Sequence, residues 1–204
     1  MKNYIEHKEF VNLYNKDNKI FDRMFDKTCL FNSFINRMKK ESQNFSKYSY
    51  TEEQGEGKMN GDIFEIFGEC FFKILGADNR IGVYGYKPEQ DNDCGVDGSG
   101  VGIDDKPLTV QIKFRADNEL ELLEADLHQF AFQSVKRFKV DIDTNTNMVV
   151  FTSAKGLHWF TSDKVFMNSI RTISYQNIRS IVDNNNCFWN MVRDYIKETV
   201  SVRY

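Results

Sequence analysis

Asp97, Gln111 and Lys113 are the residues of this chain whose types and spacing could do chemistry. Asp97 follows a glycine-bearing turn, and Gln111 and Lys113 stand two apart in Leu108-Thr109-Val110-Gln111-Ile112-Lys113-Phe114-Arg115. In that run Leu108, Val110, Ile112 and Phe114 alternate with Thr109, Gln111, Lys113 and Arg115, the period of a strand with one apolar and one polar face. Two strand rises place Gln111 and Lys113 on one face, about 7 Å apart. An upstream acid, a strand-borne amide oxygen and an ammonium beside it suit a divalent metal and the activation of water against a phosphodiester. Such hydrolysis needs an oriented water, charge neutralisation on the phosphate and help for the leaving oxygen. Mg²⁺ asks for hard oxygen ligands. Asp97 offers a carboxylate, Gln111 an amide oxygen and Ile112 a backbone carbonyl. Lys113 can orient the water and stabilise negative charge. Glu65, on a preceding helix, offers a second carboxylate.

The elements that must position these groups can be read along the chain. Residues 1–50 predict an amphipathic helical extension, with Phe10, Leu13, Ile20, Phe21, Met24, Phe25, Leu30, Phe31, Phe34 and Ile35 near helical spacing. Thr51 to Lys58 reads as a polar loop. Gly61 to Leu75 then predicts a buried helix on Phe64, Phe67, Phe71 and Ile74, with Asp62 favouring its first turn and Gly76 ending it. Arg80–Tyr86 predicts a strand, and the glycines and acids of 91–102 predict a hairpin. Leu120, Leu123, Leu127, Phe130, Ala131, Ser134, Val135 and Phe138 predict one long helix after the Gln111 strand. The run Met148-Val149-Val150-Phe151 is the pattern of a central buried strand. A helix over 157–168, a strand at 172–174 and helices over 176–183 and 187–199 complete the series. This order predicts an α/β fold with a central mixed β-sheet flanked by helices, in two regions, 1–50 and 51–204.

The residues resemble the PD-(D/E)xK superfamily of restriction-endonuclease-like nucleases, closest to the Mrr-like branch in which glutamine replaces the middle acid. Members carry a helix with a glutamate, then D-x-G-x-D-G, then a strand with Q-x-K. Here those are Gly61 to Glu65, Asp93-Cys94-Gly95-Val96-Asp97-Gly98, and Gln111-Ile112-Lys113. The likeness covers roughly residues 58–185, and Met148 to Ser153 resembles the family's next core strand. It implies a restriction-endonuclease-like core with Asp97 as principal metal ligand, Gln111 as middle ligand, Lys113 as catalytic lysine and Glu65 as helix acid. Asp93 and Glu69 stand in reserve. A Gln-x-Lys pair alone is also the pattern of a solvated strand face; the Gly95–Gly98 turn and the Glu65 helix set this pair apart.

The remaining features narrow the field. Hydrophobic residues make up 41%, with 18 Phe and 9 Tyr, which predicts a packed globule rather than a disordered chain. The net charge of −3 argues against a strongly basic nucleic-acid binder but leaves room for local cationic patches. Arg115, Lys136, Arg137 and Lys155 are the candidates for phosphate contact. Cys29, Cys70, Cys94 and Cys187 form no CxxC pair and read as reduced thiols. His7, His128 and His158 have no metal-ligand spacing. Gly98 to Gly102 lacks the Lys-Ser or Lys-Thr pair of a phosphate loop. No apolar run approaches a membrane span or a signal core, which predicts an intracellular, cytoplasmic protein with no membrane partner. The reading is a Mg²⁺- or Mn²⁺-dependent endonuclease acting on DNA, with a homodimer and a helicase or methylase as conceivable partners. The alternative is an inactive nuclease-fold module that binds nucleic acid or a replication or repair partner.

Overall fold

A computed structural model describes residues 4–89, 95–142, 147–158 and 169–203. Its elements in chain order are α1 (Lys8–Lys16), α2 (Ile20–Phe25), α3 (Phe31–Ser42), α4 (Gly55–Leu75), β1 (Tyr84–Pro88), β2 (Gly98–Val101), β3 (Pro107–Lys113), β4 (Glu121–Leu122), α5 (His128–Lys136), β5 (Met148–Thr152), β6 (Gly156–Leu157), β7 (Ile170–Ile173), α6 (Tyr175–Val182) and α7 (Asn186–Arg203). The chain forms two compact units, one of residues 1–74 with 178–204 and the other of residues 75–177. The divisions fall near residues 74 and 177 and not at residue 50, so the first helices share a unit with α4 and α7.

The first unit is helical. Its axis is α4, which begins six residues before the sequence pattern suggests. Thr51 and Gln54 explain the early start: the Thr51 N–H donates to Gln54 Oε1 at 3.0 Å and the Gln54 N–H to Thr51 Oγ1 at 3.3 Å, a reciprocal cap. Met59, Ile63, Phe64, Ile66, Phe67, Phe71 and Phe72 bury α4 on nearly every side, as befits a core helix. Phe34 stacks on Phe67 with ring centroids 4.6 Å apart, and Trp189 and Phe188 of α7 each lie 6.0 Å from the Phe67 ring. Asp62 caps nothing. It lies inside the helix, where its carboxylate accepts from Tyr50 Oη at 2.7 Å and pairs with Lys58.

The second unit is built on a five-stranded mixed sheet in the order β1-β2-β3-β5-β7. β1, β2 and β3 run antiparallel, and β3, β5 and β7 run parallel. β5 is buried along its whole length, as a central parallel strand should be. α5 covers one sheet face: Phe130 and Ala131 pack with Met148, Val150 and Ile170, and Leu122 and Leu127 join them. β4 and β6 pair as a separate two-stranded ribbon.

Two expected helices differ. The long helix over 120–138 is only α5. The chain is extended at Glu121–Leu122, and Leu120 and Leu123, which fit the helical spacing, point into solvent. The β4–β6 ladder competes for this segment and wins because it buries Leu122. The helix expected over 157–168 begins on Leu157, which is in β6; residues 159–168 lie outside the described residues.

Candidate active site

β3 carries the site, and its polar face is not solvated. Thr109 is fully buried and Gln111 is 2% exposed, so five successive residues of the strand are covered on both faces. α5 supplies the cover on the Thr109–Gln111–Lys113 side: Thr109 Oγ1 donates to Ser134 Oγ at 2.8 Å. Among the described residues the side-chain oxygen of Gln111 has no hydrogen-bond donor. A buried amide oxygen without a donor costs free energy, and such groups in a folded protein invite an explanation. Lys113, two residues on, is half-buried at the strand end. Its ammonium has no hydrogen-bond or ion-pair partner among the described residues.

Asp97 precedes β2 and extends the ladder with its side chain. The Asp97 N–H donates to the Val110 carbonyl at 2.9 Å, and Asp97 Oδ2 accepts the Ile112 N–H at 2.5 Å. The carboxylate thus takes the place of a strand partner that β2 does not provide. The N–H and C=O of a strand residue project toward the same neighbour, so the Ile112 carbonyl is directed to the Asp97 side. Two glycines make this corner. Gly95 has φ +74°, and a Cβ there would meet the Phe130 amide nitrogen of α5 at 3.1 Å. Gly98 lies under the Tyr86 ring, where a Cβ would fall 2.2 Å from Cε2.

Consecutive hydroxyls, one from the last residue of β5 and one just past it, hold the other side of the β3 end. Thr152 Oγ1 donates to the Lys113 carbonyl at 2.7 Å. Ser153 Oγ accepts the Arg115 N–H at 2.7 Å and donates to the Arg115 carbonyl at 2.9 Å. Both residues are buried. The strand ends at Lys113, and this clamp carries the backbone on to Arg115.

Asp97 is therefore bonded to Ile112, on the strand that carries Gln111 and Lys113 on either side of it. Glu65 belongs to the other unit, and within it the Glu65 carboxylate meets His7 Nε2 at 2.9 Å. Glu69, the reserve acid, is buried and pairs with Lys73 at 2.7 Å while accepting the N–H groups of Glu6 and His7. Asp93 lies outside the described residues. Of the four phosphate candidates, Arg115 and Lys155 flank the ends of β3 and β5. Lys136 and Arg137 do not join them. α5 starts beside Gly95 and passes Ser134 over Thr109, so its last turn lies away from Asp97. There Lys136 Nζ sits 5.1 Å from the Phe132 ring centroid and Arg137 5.4 Å from that of Phe138. His128 pairs with Glu124 on the helix surface.

The sequence gives no sign of Asp126, Thr152 and Ser153 as parts of this corner. Asp126 Oδ1 pairs with Arg115 at 2.7 Å, and Asp126 Oδ2 accepts the Leu123 N–H at 3.0 Å. Burial would raise its carboxyl. The Leu123 amide, the Arg115 guanidinium and the Lys113 charge outweigh that and hold it below the usual carboxylate value.

Among the described residues no group of three or more His, Cys, Asp or Glu side chains could hold a metal ion. The donors at the β3 end are instead one carboxylate, one amide oxygen without a partner and one backbone carbonyl. An all-oxygen set of this kind suits Mg²⁺ or Mn²⁺, which keep several waters, and does not suit zinc. No protein-family model, curated protein or solved structure matches this chain. No helix among the described residues is long and apolar enough to cross a membrane.

Proposed function

We propose that the chain is a restriction-endonuclease-like nuclease that hydrolyses DNA phosphodiester bonds with Mg²⁺ or Mn²⁺. The observation that carries this reading is the unbonded, buried Gln111 oxygen beside Lys113, on the strand to which the Asp97 carboxylate is bonded. Asp97, the Ile112 carbonyl and Gln111 would hold the cation, which when bound supplies Lewis-acid polarisation of the phosphate and a more acidic water. Lys113 stands with its ammonium free to orient the attacking water and to offset charge on the phosphorus oxygens. The Thr152–Ser153 clamp fixes the backbone of Lys113, so the ammonium swings from a rigid base. The Ile112 amide already fixes the Asp97 carboxylate to the strand. Cutting both strands of a duplex in one encounter takes two such centres, which a homodimer would supply.

The test is cleavage of linear, supercoiled, methylated and four-way-junction DNA with and without Mg²⁺, comparing the wild type with Lys113→Ala. Metal-dependent cleavage lost in the variant supports the reading; cleavage at the original rate in Lys113→Ala removes it.

The second reading, an inactive nuclease-fold module, draws on the proposed ligand set, in which Asp97 is the one carboxylate. A site with one acid binds a divalent cation weakly. DNA binding without cleavage in Mg²⁺ or Mn²⁺ would favour it.

A further inference from the structure

We propose that Arg115 and Lys113 form a phosphate subsite whose place is held, in the free protein, by the carboxylate of Asp126. The inference rests on the nuclease reading for the identity of the phosphate, a DNA backbone oxyanion, but its geometry belongs to the second unit alone. Arg115 is fixed at both ends. Ser153 Oγ grips its N–H and its carbonyl, and Asp126 Oδ1 takes its guanidinium at 2.7 Å. Asp126 is fixed in turn, since Oδ2 accepts the Leu123 N–H at the 3-10 turn that leads into α5. Lys155, one residue before β6, donates its own N–H to Leu120 at 3.0 Å and so lies against the same segment. Two cations, Arg115 and Lys113, thus act on Asp126, the backbone of Lys155 lies against the same segment, and among the described residues Asp126 is the one acid paired with any of the three.

The Asp126 oxygen on the Arg115 guanidinium stands where a phosphate oxygen would be bound, and a phosphodiester could engage the planar fork with two oxygens where Asp126 offers one. The Asp126–Arg115 pair is also cheap to open. Its side chains are 33% and 30% exposed, and ion pairs at that exposure contribute little. An incoming phosphodiester brings a full charge to a position where Lys113 adds to the attraction. Asp126 then keeps its Leu123 bond and gives up Arg115. The acid prevents idle binding of stray anions and leaves a competitor that only a well-placed phosphate displaces.

The experiment is the affinity of a fluorescein-labelled duplex oligonucleotide, by anisotropy in EDTA, for wild type, Asp126→Asn, Arg115→Gln and the double variant. Asparagine keeps an acceptor for the Leu123 N–H while removing the charge. Asp126→Asn should tighten binding about three- to tenfold, and Arg115→Gln should weaken it and lower the salt slope by about one. The gain from Asp126→Asn should vanish when Arg115 is already glutamine. A second arm follows the Arg115 Nε–H resonance of Asp126→Asn during titration with inorganic pyrophosphate. A shift there without duplex binding keeps the subsite and removes DNA as its ligand. An unchanged affinity in Asp126→Asn, an equal gain in the Arg115→Gln background, or no response in either arm overturns the subsite.

Discussion

The Ile112 amide donates to the Asp97 carboxylate at 2.5 Å, which fixes the acid to the strand that carries Gln111 and Lys113. Because Ile112 is buried, the bond has two roles that substitutions can separate. Asp97→Ala strips a buried N–H of its acceptor and should cost about 1–3 kcal/mol of stability along with all cleavage. Asp97→Asn keeps an acceptor and should unfold near the wild-type temperature while cleavage falls by about 100-fold or more. Thermal melts and nicking of supercoiled DNA measure the two effects, and an active Asp97→Asn would remove the acid from the mechanism.

Lys113 is expected to show the opposite balance. Its ammonium bonds to nothing among the described residues, so Lys113→Met should stay within about 1 kcal/mol of wild type in urea unfolding. Single-turnover cleavage should nevertheless fall by about 100-fold or more. A large loss of stability in this variant would show that the side chain is structural.

Gln111→Glu tests the unbonded oxygen directly. In EDTA the new carboxylate is buried with only the Lys113 ammonium, about 7 Å along the strand, to offset its charge, and the melting temperature should drop. Mn²⁺ should restore it and bind more tightly than to wild type, because binding to the folded state alone stabilises by mass action. A melting temperature indifferent to Mn²⁺ in both proteins would mean that no cation belongs at this position.

His7 gives the first unit a pH dependence. Burial pushes its imidazole down, but the Glu65 carboxylate at 2.9 Å, with Glu69 and Asp62 nearby, raises it above 6.5. A raised value in the folded state means stability present in full below pH 6.5 and lost as the pH climbs through the folded value. Urea unfolding should weaken from about pH 6 to pH 9 in wild type and stay flatter in His7→Gln. Parallel curves for the two proteins would rule out this linkage.

Lys73 and Glu69 pair at 2.7 Å with side chains 2% and 1% exposed. Lys73→Met leaves the Glu69 charge buried with only the Glu6 and His7 amides and should cost about 3–5 kcal/mol. The double change Lys73→Met/Glu69→Leu should recover part of that loss, since an apolar pair replaces an unpaired charge. Chemical denaturation of the three proteins measures both outcomes.

Much of the sheet is legible in the sequence because its signals are local. The unbroken apolar run Met148–Phe151 is β5, and the alternation of Leu108–Lys113 is β3. What alternation could not convey is that α5 closes over the polar face, so that Gln111 is buried. The 120–138 segment misleads for a related reason. Its leucines keep helical spacing, but Leu122, off that pattern, is the one the β4–β6 ribbon buries. Asp126 is invisible in the sequence because its meaning depends on a fold-back to Arg115 eleven positions earlier. Asp62 looks like a cap only while the Thr51–Gln54 pairing upstream goes unrecognised.

The first unit is discontinuous along the chain, and this bears on how the protein emerges from the ribosome. Phe34 and Phe67 are synthesised long before Phe188 and Trp189, the rings that complete their cluster. Residues 75–177, by contrast, contain every strand of their own sheet. The later-born segment is thus equipped to close first, while the earlier one waits with its aromatic surface bare, and a nascent chain stalled before residue 178 would be the form most prone to aggregate.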